Sequence, residues 1–184
     1  MNGKNRIHNL VSCAVFKTSI GWCGLVMERG KVRRFSIGYA SPRQLKRHIR
    51  NDLGDDICFK HSAAMKMIIQ KLMHYCSGQK VSLSRVPMDW SSLTPFERKV
   101  LRAAARIPYG SVVTYGGLAR KIGSPRSARA VGNALAKNPF PLFVPCHRII
   151  KGDGSIGGFS ARKGIILKKR LLNMERLQST RLIK

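Results

Sequence analysis

Residues 138–148 read Asn-Pro-Phe-Pro-Leu-Phe-Val-Pro-Cys-His-Arg and interrupt a half of the chain that is otherwise helical in pattern. Three prolines remove backbone donors and disfavour helical geometry, which predicts an extended segment. The segment ends at Cys146, which two basic side chains follow. No carboxylate lies between Glu97 and Asp153, and nearby cations favour a thiolate over a thiol. We therefore predict that the pKa of Cys146 is lowered and that this residue is a candidate nucleophile.

A cysteine next to a histidine is by itself weak evidence for catalysis, because a nucleophile and its base need geometry rather than adjacency. The alternative is a buried structural Cys146 beside a surface His147. Neighbouring side chains in an extended segment point apart. If His147 assists Cys146, we expect a water molecule between them rather than a direct hydrogen bond.

Two short helices are predicted just before this stretch. Thr114 is a suitable N-cap for a helix that begins with Tyr115, and Gly123 would end that helix. Ser124-Pro125 would begin the next one. This spacing is typical of a helix-turn-helix.

The second of these helices divides into two faces at helical spacing. Its apolar face is expected to pack in the core and consists of Ala128, Val131 and Leu135. Its other face carries one long basic side chain among small residues, namely Arg129, Gly132, Asn133 and Ala136. Glycine inside a helix costs about 1 kcal/mol relative to alanine. Close approach to nucleic acid would explain that glycine, and tight helix packing within the protein is the alternative.

A further helix is predicted to begin at Thr94-Pro95-Phe96-Glu97, which combines an N-cap hydroxyl, a first-turn proline and a capping-box glutamate. The pattern breaks just before it, at residues 87–92, which indicates a linker. We therefore predict an N-terminal domain with its linker over residues 1–90 and a C-terminal domain over residues 91–184.

The N-terminal half has the pattern of a mixed α/β unit. Strands are predicted at residues 11–16 and 21–27 and around the alternating Phe35, Ile37 and Tyr39. Helices are predicted from Ser41-Pro42 and along an apolar stripe of Ala64, Ile68 and Leu72. Nothing in this half indicates chemistry.

The five cysteines form no Cys-x-x-Cys pair, so neither a disulfide framework nor a standard zinc motif is indicated. Cys13 and Cys23 could face each other across a hairpin. A disulfide or a metal site there is one interpretation, and two buried thiols are the usual one. We expect no metal.

The chain carries a net charge of +27 at pH 7, and its calculated pI is about 11.2. Nucleic acid is the polyanion that such a charge favours, with solubility or attachment to anionic lipid as alternatives. No apolar run approaches the roughly 20 residues that cross a bilayer, and residues 1–10 are polar and basic. We therefore expect a soluble intracellular protein that does not bind membranes.

Several motifs occur together, in order, between Thr94 and about Glu175. They are Tyr115, the run 128–133, Asn138-Pro139, residues 145–150 and Gly157-Gly158-Phe159-Ser160. In order and spacing this segment resembles the O6-alkylguanine-DNA alkyltransferases, also called methylated-DNA–protein-cysteine methyltransferases. A match in several parts is far more specific than a lone motif. The resemblance implies a small ribonuclease-H-like α/β N-terminal domain followed by a mainly α C-terminal domain with a helix-turn-helix.

The resemblance also implies a reaction. Cys146 would attack the alkyl carbon of O6-alkylguanine and keep the alkyl group as a thioether, so each molecule would act once and without a cofactor. His147 would act as the base through water, with Glu175 orienting it. The run Leu171-Leu172-Asn173-Met174-Glu175 fits the paired leucines and glutamate of the family.

Further site residues are implied by the same resemblance. Tyr115 would share a proton with a guanine ring nitrogen, and Asn138 would tie the helix-turn-helix to the cysteine segment. The carbonyls of Cys146 and Ile149 would accept from the exocyclic amine, and the backbone near Ser160 would donate to the oxygen. Phe159 stands where many relatives carry tyrosine, and the loop 160–164 varies among relatives.

Double-stranded DNA is the implied partner, bound through its minor groove by an expected monomer. The nucleotide would rotate out of the stack and Arg129 would fill the gap. The other implied DNA contacts are Ser124, Tyr115, Ala130, Gly132 and Asn133. A cytoplasmic location follows, on the nucleoid in a prokaryote, or a nuclear one in a eukaryote.

Three rival functions are weighed against this one. A damage-binding protein without a reactive cysteine is disfavoured by Cys146. A DNA-binding regulator would recognise undamaged sequences. A Cys-His hydrolase would need an oxyanion site, which the sequence does not indicate.

Overall fold

The computed structural model describes residues 11–55 and 57–181, so the basic opening stretch lies outside it. Its N-terminal half contains a four-stranded mixed sheet in the order β3-β2-β1-β4. The strands are β1 (Val11–Thr18), β2 (Gly21–Glu28), β3 (Lys31–Tyr39) and β4 (Ile57–Cys58). The first three form an antiparallel meander, and β4 pairs in parallel with β1. The predicted α/β half is thereby confirmed.

Helices cover both faces of this sheet. Helix α1 (Pro42–Leu53) begins at the N-cap Ser41 and buries Leu45 and Ile49. Helix α2 (Ala63–Cys76) packs on the opposite face, where its buried stripe includes Met65, Ile68 and Leu72. Ala64, predicted for that stripe, is exposed.

Cys13 and Cys23 do not face each other. The hairpin register pairs Cys13 with Val26 and Cys23 with Phe16. Cys13 therefore packs under α1 and Cys23 under α2, on opposite faces of the sheet. The disulfide interpretation is wrong, because both thiols are free and buried. Within the described residues, no group of three or more His, Cys, Asp or Glu side chains could hold a metal ion.

The C-terminal half is mainly helical. It contains α3 (Pro95–Ala105), α4 (Tyr115–Lys121), α5 (Ala128–Ala136) and α6 (Gly164–Arg181). The capping box predicted at Thr94 and Glu97 is present at the start of α3. Helix α5 begins later than predicted, at Ala128, because residues 124–127 form a turn closed by a hydrogen bond from Ser127 N to Ser124 O.

The proline-rich stretch is not extended as a whole. Pro141 and Val144 form an isolated bridge around a tight turn in which Leu142 has a φ of +71°. The chain then enters a 3-10 turn over Cys146–Arg148 and a short strand, β6 (Ile149–Ile150). Strand β6 pairs in parallel with β5 (Val113–Thr114), which directly precedes α4. The prediction that Cys146 ends a strand-like segment is therefore wrong.

The two halves share one core. Phe35 of β3 packs edge-on against Phe143, with ring centroids 5.3 Å apart, and its backbone N–H donates to Pro139 O at 2.9 Å. The predicted linker runs beside β3, where Val32 exchanges backbone hydrogen bonds with Pro87 and Asp89. The division into residues 1–90 and 91–184 stays a prediction. Among the described helices, none is long and apolar enough to cross a membrane.

Candidate active site

Cys146 opens the 3-10 turn and is almost fully buried, with 6% of its surface exposed. Asn138 holds this turn: its Nδ2 donates to Val144 O at 2.9 Å and to the Cys146 sulfur at 3.2 Å. Its Oδ1 accepts from Phe140 N at 2.9 Å. Asn138 thus joins the end of α5 to the cysteine, as the resemblance implied.

Burial raises the pKa of the Cys146 thiol above its ordinary value. The hydrogen bond from Asn138 and the charge of Lys168 act in the opposite direction and only partly offset it. The prediction of a lowered pKa is therefore wrong, because sequence charge counts ignore desolvation. A thiol of this kind needs a base to accept its proton.

His147 is fully buried directly after the cysteine. Its Nε2 lies 2.9 Å from Glu175 Oε1, whereas its Nδ1 is buried with no hydrogen-bond partner. Burial by itself would raise the pKa of Glu175, but hydrogen bonds from His147 and Arg148 and their charges together hold it well below its usual range, so the carboxylate can only accept. The hydrogen on His147 therefore belongs on Nε2, and the Nδ1 lone pair is free to take a proton.

Glu175 is held by groups from distant parts of the chain. Arg148 Nε donates to Oε2 at 2.9 Å and Arg148 Nη2 to Oε1 at 2.8 Å. The backbone N–H of Gly110 donates to Oε2 at 3.0 Å, and Arg148 Nη1 donates to Ile107 O at 2.6 Å. This buried ion pair fixes the carboxylate that orients His147.

Two residues of the site were missed by sequence reasoning. Tyr75 of α2 is buried and its hydroxyl donates to Glu175 Oε1. The available signal was its place three residues after Leu72 on the buried face of α2, where a phenol needs a polar partner. The prediction that the N-terminal half holds no chemistry overlooked this contact.

Lys168 of α6 is the second such residue and is fully buried. Its ammonium donates to Ile149 O at 2.5 Å and to Gly158 O at 3.1 Å, and it lies 5.8 Å from the centre of the Tyr115 ring. Burial lowers the pKa of Lys168 to about 8. One ammonium therefore links strand β6, which follows the cysteine turn, to the segment at Gly158 that lines the cysteine pocket.

A cavity of about 260 Å³ opens at the sulfur. This cysteine pocket is lined by Tyr115, Gly132, Leu135, Ala136, Cys146, Gly158, Phe159 and Ser160. Of the three predicted pocket residues, Phe159 and Ser160 line it, while Ile149 is buried beneath and presents its carbonyl to Lys168. Tyr115 enters from the start of α4, which the β5–β6 pairing brings beside the cysteine segment.

The small-residue face of α5 is open. Arg129, Ala130, Asn133 and Ala136 are exposed, and Ser124 is half-buried in the preceding turn. A Cβ added at Gly132 would lie 3.8 Å from the Tyr115 ring, an ordinary contact distance. Internal packing therefore does not require glycine at this position. This favours the interpretation that another molecule approaches α5 closely over tight packing within the protein.

A second opening, the basic cleft, adjoins the cysteine pocket and shares Ala136 and Ser160 with it. It has a volume of about 780 Å³, and its basic lining residues are Arg34, His48, Lys137, Arg162 and Lys163. Arg34 pairs with Asp52 at 2.6 Å and Lys137 with Glu97 at 2.8 Å. The positive charge of the cleft therefore rests mainly on Arg162 and Lys163.

Comparison with known proteins points to one family. Residues 95–177 match the family model for the 6-O-methylguanine DNA methyltransferase DNA-binding domain. The methylated-DNA–protein-cysteine methyltransferase of Methanothermobacter thermautotrophicus is 42% identical over 113 residues, which are 61% of each protein. The chain thus spans about three fifths of that relative's length.

Two further matches cover more of the relative. The methylated-DNA–protein-cysteine methyltransferase of Archaeoglobus fulgidus is 40% identical over 110 residues, 58% of this chain and 71% of the relative. The crystal structure of Mycobacterium tuberculosis OGT in complex with DNA superimposes with a TM-score of 0.73 at 28% identity, covering 90% of this chain and 93% of that one. The chain therefore belongs to the methylated-DNA–protein-cysteine methyltransferase family.

Proposed function

We propose that this protein repairs O6-alkylguanine in DNA by transferring the alkyl group irreversibly to Cys146. The observation that carries the proposal is the arrangement around the sulfur. Cys146 lines a pocket of about 260 Å³ and precedes a histidine whose Nδ1 is unpaired and whose Nε2 is held by Glu175. Family membership and the shape of α5 support the same function.

The reaction begins with the thiol proton. It passes through a water molecule to Nδ1 of His147, and the Cys146 thiolate attacks the alkyl carbon. A sulfur–carbon bond forms, the carbon–O6 bond breaks, and its electron pair stays on guanine. Tyr115 supplies the proton that neutralises the guanine anion at a ring nitrogen, and the proton taken up by His147 then returns through solvent to the Tyr115 oxygen. The protein ends as a thioether, guanine is restored, and no cofactor takes part.

Each molecule would act once, because a thioether is a very poor leaving group and nothing in the proposed sequence regenerates the thiol. The pocket sets the size of the alkyl group. Phe159, in place of the tyrosine that many relatives carry, and the exposed Ser160 shape the side of the pocket that faces the loop 160–164.

Recognition requires the nucleotide to rotate out of the duplex, at a cost of a few kcal/mol. The open face of α5 would lie in the minor groove, with Arg129 in the gap and Ala130, Gly132 and Asn133 against the backbone. Ser124 and the basic cleft would contact phosphates on either side. The crystal structure of Mycobacterium tuberculosis OGT in complex with DNA supports DNA as the partner.

The fold of the N-terminal half, the oligomeric state and the cellular location belong to the same proposal. The N-terminal sheet with α1 and α2 is taken as a small ribonuclease-H-like unit and the protein as a monomer. Its place in the cell would be wherever the DNA is, on the nucleoid or in the nucleus.

Mass spectrometry after incubation with an O6-methylguanine duplex tests the proposal. We expect one added methyl group per protein, located on the peptide that contains Cys146, and restored guanine in the DNA. Cys146→Ser is the matched control and should remain unmodified. A folded wild-type protein with an unmodified Cys146 would reject the proposal, and more than one turnover per molecule would indicate a different reaction.

A further inference from the structure

Helix α2 brings one phenol from the N-terminal half into the site. Tyr75 is 1% exposed, and its ring packs edge-on against Tyr109 with centroids 5.9 Å apart. Its hydroxyl contacts two groups of the proposed proton path. It donates to Glu175 Oε1, and its oxygen lies 3.2 Å from His147 Nε2.

The direction of each hydrogen bond follows from the donors available. A tyrosine hydroxyl has one hydrogen, and here that hydrogen points to the ionised Glu175. The lone pairs of the same oxygen are left to face Nε2 of His147. The Nε2 hydrogen therefore lies between two acceptors, Glu175 Oε1 at 2.9 Å and Tyr75 Oη at 3.2 Å.

We propose that Tyr75 is a positioning residue for alkyl transfer. Its hydroxyl keeps the hydrogen of His147 on Nε2 and reduces the negative charge that Glu175 presents to the imidazole. This inference rests on the proposed function. Tyr75 touches neither the sulfur nor the pocket. It acts through His147 and Glu175. Through Tyr75, the N-terminal half would therefore contribute to the activation of Cys146.

The charged groups that affect the pKa of His147 are Glu175, Arg148 and Lys168, and all three remain when the Tyr75 hydroxyl is removed. Burial lowers the pKa of His147, Glu175 raises it, and the charges of Arg148 and Lys168 lower it. Burial and the neighbouring Glu175 raise the pKa of Tyr75 well above its ordinary value, so its hydroxyl remains protonated throughout the pH range of interest. Without that hydroxyl, Glu175 keeps its full negative charge toward His147, and the histidine becomes more basic.

The test compares Tyr75→Phe with Tyr109→Phe. Tyr109 is the neighbouring phenol, but its hydroxyl donates to Gly78 O at 3.3 Å and not to Glu175. The measurement is the rate of transfer from free O6-benzylguanine to Cys146 between pH 5 and pH 9, a range of about four units around the ordinary histidine pKa. We expect Tyr75→Phe to be about tenfold slower at neutral pH, with its acid limb moved to higher pH. Tyr109→Phe should match the wild type.

Imidazole ¹⁵N NMR gives a readout that does not depend on activity. In the wild type, neutral His147 should carry its hydrogen on Nε2, and in Tyr75→Phe its titration should move to higher pH. A hydrogen on Nδ1 of the wild type overturns the inference, even where Tyr75→Phe does not fold. An unchanged pH profile and titration in a folded Tyr75→Phe overturn it as well. If wild-type Cys146 gains no alkyl group, the proposed function fails, while the NMR titration still decides the role of Tyr75.

Discussion

Cys146 and His147 are the proposed proton donor and acceptor, and burial shifts the pKa of both residues. Desolvation raises the pKa of the thiol and lowers that of the imidazole. The resting pair is therefore a neutral thiol and a neutral base. In the proposed reaction, the thiolate forms when the thiol proton moves to His147 Nδ1.

The pH dependence of transfer follows from this state. Protonated His147 cannot act as a base, and its pKa lies below the ordinary value of 6.5. The rate of transfer from free O6-benzylguanine should therefore remain constant as pH falls toward 6.5 and decline only below it. Stopped-flow or quenched assays across this range give the profile. A decline that is already complete at pH 7 would contradict a buried, neutral His147.

Lys168 should matter for the reaction although it lies beside the cysteine rather than in the cysteine pocket. Lys168→Met keeps most of the side-chain volume but removes the donor to Ile149 O and Gly158 O and the charge that lowers the pKa of Cys146. Transfer should slow by about tenfold or more on both duplex DNA and the free base. Lys169→Met, at an exposed neighbouring position, is the control and should retain the wild-type rate. Equal rates for both variants would refute the role.

Helix α5 is proposed to bind the duplex without taking part in the chemistry. Arg129 is exposed on its open face and does not line the cysteine pocket. Arg129→Ala should weaken repair of a duplex much more than transfer from free benzylguanine, because only the duplex leaves a gap to fill. Arg126→Ala removes the same charge from the preceding turn and should have a smaller effect. Equal losses on both substrates would reject the gap-filling role.

Helix α3 depends on its first turn. The Thr94 hydroxyl accepts from Glu97 N, and the Glu97 carboxylate accepts from Thr94 N at 2.9 Å. The same carboxylate pairs with Lys137, which follows α5. Thr94→Ala should lower the free energy of unfolding by about 1 kcal/mol, measured by urea denaturation. Thr94→Ser keeps the hydroxyl and should remain close to the wild type. A destabilised serine variant would show that the methyl group, not the cap, carries the effect.

The whole molecule is a polycation whose charge continues from α5 through the basic cleft. Binding to undamaged duplex DNA should therefore weaken steeply with salt, since each phosphate contact releases counterions. Replacing Arg162 and Lys163 by alanine should reduce the slope of log K against log salt by up to about 2. The same loss at Arg43 and Arg47 of α1, which are exposed and do not line the basic cleft, is the control and should change it less. Fluorescence anisotropy across a salt series measures both slopes.

The sequence alone was sufficient to predict several helices and strands of this protein and to suggest its reaction. Local signals suffice for the caps of α1 and α3, for the strands of the meander and for the apolar face of α5, because each depends on residues within one or two turns. The motif around Cys146, with Tyr115, Asn138 and Glu175 at matching distances along the chain, was enough to suggest the reaction.

Only the tertiary structure decided the electrostatics and the full membership of the site. Cys146 is a thiol and not the predicted thiolate, because burial raises its pKa more than the nearby cations lower it. Desolvation cannot be read from a count of charges in the sequence. Tyr75 and Lys168 reach the site through contacts between elements far apart in sequence. Cys13 and Cys23 were separated by hairpin register. In each case the deciding quantity is a distance or a degree of burial, which the fold alone sets.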